Sequence, residues 1–178
     1  MRSSGSKYLV LGLGNDLCGD DGVGPAAARE LRARCGVDID VIESAEAGLA
    51  LLELLEGYDG ALILDAMKDG ISAPGSIHAF KPGDFRSVAA PSPHYIGLPE
   101  VLSIASQLEM HFPRDVRILA METEDPHTLR EGFSEPVRDA FPAFVERALT
   151  VINEIRAMDP AHVAEDAGSV WGLPLPKG

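Results

Sequence analysis

Apolar residues fall into two rhythms along this chain. Strand-like runs occupy 8–11, 39–42, 61–64, 76–80 and 116–120, unbroken by polar residues at 8–11 and 61–64. Between them, 23–35, 49–56, 99–108 and 136–158 carry apolar residues at helical spacing, the last with Ser134 at the N-cap position. Unbroken runs indicate strands buried on both faces, and their alternation with helices predicts a mostly parallel sheet covered on both sides. The run 76–80 follows 61–64 after a link containing Pro74 and Gly75 that is too short for a crossover helix, so it reads as an antiparallel or edge strand. The expectation is an α/β fold: one three-layer domain over 1–158, with a mostly parallel, twisted sheet. The stretch 159–178 loses periodicity and reads as a surface-docked or disordered tail, with Trp171 as its one anchoring candidate.

Composition narrows the function classes. The chain has 178 residues and a formal charge of −13, with no Lys/Arg cluster, which disfavours nucleic acid and anionic membrane as partners. Two cysteines in no metal-binding or redox spacing point to a reduced cytoplasmic setting, and the polar start offers no signal peptide or membrane span.

The chemistry concentrates at strand ends. The first run passes into Gly12-Leu13-Gly14-Asn15-Asp16-Leu17-Cys18-Gly19-Asp20-Asp21-Gly22-Val23-Gly24, a glycine-rich turn holding two adjacent acids before a helix. Asp65 follows the run 61–64, and His94 lies in Ser92-Pro93-His94-Tyr95 before another helix. In a parallel sheet such joints share the carboxyl edge, where open α/β folds place their sites. Two carboxylates and one imidazole suit a divalent transition metal. Taken singly each has an ordinary reading, which is the commoner one: Asp21 as a helix cap, Asp65 as an acceptor of local N–H groups, His94 as a capping or surface histidine. A dinucleotide site is disfavoured because Leu17 stands where the third glycine belongs and two acids occupy the phosphate position.

The ordered set Gly12-x-Gly14-Asn15-x-Leu17-x-x-Asp20-Asp21-Gly22-x-Gly24, Asp65-Ala66 and Ser92-Pro93-His94-x-x-Gly97-Leu98 resembles the nickel-iron hydrogenase maturation endopeptidases. Weaker echoes are Ala47-Gly48, Pro74-Gly75 and Gly132-Phe133-Ser134, so the likeness spans 7–158. The resemblance implies a cytoplasmic endopeptidase that removes a C-terminal extension from a nickel-loaded hydrogenase large-subunit precursor. It also implies Asp21, Asp65 and His94 as catalytic metal ligands. Nickel would arrive on the substrate, with zinc or cadmium as surrogates. Many members carry Glu where Asp21 stands. In 43–48 the family usually shows an acid, then Gly-Gly or Gly-Cys, then Thr, whereas this chain has Glu43-Ser44-Ala45-Glu46-Ala47-Gly48. Glu43, Glu46 and Gly48 are therefore substrate-loop candidates, Glu46 also reading as a solvent-facing residue at a helix start. No H-E-x-x-H or G-x-S-x-G motif offers another protease chemistry, and Cys18, with no His near it in sequence, reads as a small filler. The competing function is a non-cleaving, nickel-sensing or precursor-binding chaperone of the same fold.

Overall fold

The computed structural model describes residues 6–86, 92, 98–124 and 129–159. Five strands, β1 (Tyr8–Leu13), β2 (Ile39–Ser44), β3 (Gly60–Met67), β4 (Ile77–Phe80) and β5 (Asp115–Glu122), form one sheet in the order β2-β1-β3-β5-β4. β2, β1, β3 and β5 are parallel, and β4 runs antiparallel to β5. The helices are α1 (Val23–Arg32), α2 (Ala50–Leu55), α3 (Leu98–Gln107) and α4 (Glu135–Met158).

The period of two along each strand divides the core into two layers. Tyr8, Val10, Leu62, Leu64, Leu119 and Met121 pack with residues of α1 and α4. Leu9, Leu11, Leu13, Ala61, Ile63 and Ile118 pack with residues of α2 and α3. β1 and β3 are buried along their whole length, which is why they read as unbroken apolar runs. β2, at the sheet edge, buries only Ile39.

The strands outrun their apolar runs at the carboxyl ends. β3 and β5 continue pairing through Asp65↔Ala120, Ala66↔Met121 and Met67↔Glu122, so two buried acids are strand residues and not loop residues. α1 ends earlier than its pattern, at Arg32, because Arg34 and Cys35 both turn back to the Leu31 carbonyl. Ser134 stands at the α4 N-cap with extended backbone but makes no side-chain cap bond. Instead its backbone N–H donates to Asp20 Oδ1 at 2.6 Å, so a distant carboxylate meets the chain there. The expected tail lies outside the described residues except for Asp159, whose Oδ2 accepts the Tyr8 hydroxyl at 2.9 Å. Among the described residues, no helix is long and apolar enough to cross a membrane.

Candidate active site at the carboxyl edge of the sheet

β1 leaves the sheet through a turn that only glycines allow. A Cβ on Gly12 would lie 2.5 Å from the Gly24 carbonyl oxygen and 2.8 Å from Ala28 Cβ, so β1 and α1 cross backbone to backbone. A Cβ on Gly24 would collide with the carbonyl oxygens of both Leu13 and Leu64, which seats the start of α1 between the ends of β1 and β3. Gly14 has φ 134°, where side chains are strained, and any Cβ there would strike the Asp21 carbonyl oxygen.

The two acids of the 3-10 turn Gly19–Gly22 have different tasks. Asp20 is 1% exposed; its Oδ1 accepts from Ser134 N and from Arg130 Nη2 at 3.0 Å. It ties the turn to the start of α4. Asp21 is only partly buried, and its Oδ2 accepts the Asn15 N–H at 2.7 Å. Asp21 does not cap α1, whose N-cap is Gly22.

Asp65 is fully buried on β3, and by strand parity it faces the α2/α3 layer with Ala61 and Ile63. Its Oδ1 accepts the Ala66 N–H at 2.8 Å and its Oδ2 accepts the Ser92 hydroxyl at 2.7 Å. Ser92 is itself 3% exposed. Asp21 and Asp65 thus sit at the exits of neighbouring parallel strands on one edge. His94 lies outside the described residues.

The substrate-loop candidates divide. Glu43 is engaged by two cations, Arg29 Nη1 at 2.6 Å and Arg32 Nη2 at 2.8 Å. Arg29 also holds Asp16 through both Nη atoms, so α1, the end of β2 and the loop before Asp21 form one charge network. The Asp16 hydrogen bond is the main cause that drives the Arg29 pKa further up. Glu46 is exposed, and Gly48 takes φ 59° in the turn before α2. Cys18 is half-buried and its backbone bridges that of Arg130.

Sequence reasoning missed Ser92 and Arg130 as supports of the edge. Ser92 had a signal, since it belongs to the Ser-Pro-His block. Arg130 had none, because its partner Asp20 is 110 positions away.

Chemically, the edge offers two carboxylates, each accepting from N–H or O–H donors, whose charge suits a cation better than an anion. A family model described as HycI, hydrogenase maturation protease, matches residues 25–151. The chain belongs to the hydrogenase maturation proteases. The match spans Asp65 and begins after Asp21. The chain is 28% identical to the hydrogenase expression/formation protein HupD of Bradyrhizobium diazoefficiens, over 85% of this chain and 81% of that protein. It is 27% identical to the hydrogenase 2 maturation protease of Escherichia coli, over 83% of this chain and 92% of the relative. Among solved structures, the hydrogenase maturating endopeptidase HybD of E. coli superposes with TM-score 0.71 at 25% identity, covering 83% and 93% of the two chains. HybD from Thermococcus kodakarensis, at 22% identity and TM-score 0.61, shares the fold over 82% of this chain and 99% of its own. The five-stranded, mostly parallel sheet with an antiparallel edge strand is the family's fold.

Proposed function

We propose that this maturation protease is a cytoplasmic endopeptidase that removes the C-terminal extension of a nickel-loaded hydrogenase large-subunit precursor, with Asp21, Asp65 and His94 gripping the nickel that arrives on the substrate. The observation that carries the site assignment is the Ser92–Asp65 hydrogen bond. Ser92 precedes His94 by two residues, so the His94 backbone is within a chain reach of about 7 Å of a residue that donates to the second carboxylate. Asp21 approaches the same edge on the 3-10 turn that β1 feeds.

In this reading the chain recognises the metal state of its substrate. Two carboxylates and an imidazole bind a borderline cation without completing its shell, leaving positions for the precursor's own ligands and for water. Nickel in the precursor is then both the signal that maturation is complete and a Lewis acid beside the scissile carbonyl. The chain's residues contribute position: Asn15 N–H and Ser92 O–H fix the two carboxylates, and the bond to be cut is held against them. Zinc or cadmium would occupy the same ligands in the absence of substrate.

The experiment is a cleavage assay on candidate precursors with and without nickel, read by mass loss at the precursor C-terminus. Nickel-loaded precursor is expected to lose its extension with the wild-type chain and to stay intact with His94→Ala or Asp65→Asn, circular dichroism confirming the fold of each. Cleavage by a folded His94→Ala protein would remove the metal-gripping role. Binding of precursor without any mass loss would leave a chaperone.

A further inference from the structure

Away from Asp21 and Asp65, a group of three ligand-type side chains comes together among the described residues. Asp69, His78 and Glu122 each offer a ligand atom within 4.8 Å of those of the other two. They come from three places: Asp69 from the turn after β3, His78 from β4 and Glu122 from the end of β5. His78 pairs with Ala120 across the antiparallel ladder, so His78 and Glu122 are diagonal neighbours on one sheet face.

The turn after β3 gives each carboxylate hydrogen bonds, but it leaves the imidazole Nε2 without a partner among the described residues. Glu122 is 2% exposed, and its carboxylate accepts from the backbone N–H groups of Asp69 and Gly70, at 3.1 to 3.3 Å. His78 Nε2 is shielded from solvent and has no hydrogen-bond partner among the described residues. A buried carboxylate and a buried imidazole nitrogen each carry a desolvation cost that a shared cation would offset. Asp69 accepts from Ile71 N, Ser72 N and Ser72 Oγ, which fix its carboxylate, and it is exposed, giving an ion a path from solvent.

We propose that Asp69, His78 and Glu122 form a second metal site, binding a divalent transition cation of the zinc type and pinning the β3–β4 turn to the end of β5. Two carboxylates neutralise the ion, and one neutral imidazole makes the set borderline rather than hard. Bonds of about 2.0 to 2.2 Å need the three ligand atoms to draw together modestly, and water completes the shell. The site is separate from the edge site. Asp65 lies on the same sheet face across Ala120 from His78, but its carboxylate accepts the Ala66 N–H and the Ser92 hydroxyl and is no member of the Asp69, His78 and Glu122 group. Its role is structural: it clamps the exit of the strand that carries Asp65.

The test uses the full chain stripped with chelator and titrated with zinc chloride in a calorimeter. His94→Ala is used so that the edge site does not mask the second event. That protein is expected to bind one zinc per chain and to melt at a higher temperature with zinc than with chelator. Adding His78→Gln, or separately Glu122→Gln, is expected to abolish both the binding and the shift while circular dichroism stays native. Absence of zinc binding by folded His94→Ala, or unchanged binding after both second substitutions, overturns the proposal. Neither result touches the edge site, whose readout is precursor cleavage.

Discussion

At the scale of single residues, the edge of the sheet tolerates little change. Gly24 is wedged between the carbonyls that end β1 and β3, and those are backbone atoms that cannot rotate away. Gly24→Ala is expected to destabilise by at least about 3 kcal/mol, through displaced strands rather than lost contacts, and to show as a sharply lowered melting temperature or insoluble protein. Ser92 acts more gently. Its hydroxyl is a donor to the fully buried Asp65 carboxylate, and removing it takes a charge-assisted hydrogen bond from that carboxylate. Ser92→Ala is expected to cost about 1.5 to 3 kcal/mol and to reduce precursor cleavage, while Ser92→Thr, which keeps the donor, restores much of both. Denaturant melts and the cleavage assay separate the two effects.

At the scale of elements, α1 organises the loops on either side of it. Arg29 and Arg32 project from its last turns, where cations also suit the helix dipole, and reach Asp16 and Glu43. These groups are largely solvent-exposed, so the network orients the loop more than it stabilises the fold. Glu43→Gln is expected to cost under about 1 kcal/mol. Glu43 keeps the family's acid and is committed to two arginines, so Glu46 is the substrate-loop candidate that departs from the family pattern. Glu46→Thr is expected to leave the melting temperature and metal binding unchanged and to alter at most which precursor is accepted. A panel of precursors assayed against both variants distinguishes these outcomes.

At the scale of the whole molecule, β1 and the end of α4 are joined by the Tyr8 hydroxyl on Asp159, 151 positions away. Burial is the main cause that pushes the Tyr8 phenol up to about 12; burial and the Asp40 hydrogen bond do the same for Tyr58. A phenol titrates near 10 in an unfolded chain, so the folded state holds these protons more tightly. Their stabilising contribution is therefore complete below about pH 10 and is lost as pH rises toward 12. Denaturant midpoints measured across that window are expected to fall, and Tyr8→Phe is expected to flatten the fall. High salt isolates the effect from repulsion among the acids behind the −13 charge.

Alternation of buried strands and amphipathic helices, the antiparallel placement of β4 and the carboxyl-edge position of Asp21 and Asp65 were all legible from residue order. Burial on both faces writes itself into composition: β1 and the 61–64 stretch of β3 carry no charged residue. The 3-10 turn was legible as a glycine-rich joint, yet the division of labour within it was not. Asp20 and Asp21 are adjacent and chemically identical. What separates them is Arg130 and Ser134, more than a hundred positions away, which draw Asp20 inward and leave Asp21 at the edge. Glu43 likewise reads from the sequence as a substrate-loop candidate at a strand end, and the fold pairs it with two arginines on α1. Asp69, His78 and Glu122 carry no local pattern at all, because their meeting depends on the pairing register of β4 with β5. Periodic burial is a property of each segment and survives in the amino-acid order. The partners of individual charges are set by contacts between segments, and only the folded chain decides them.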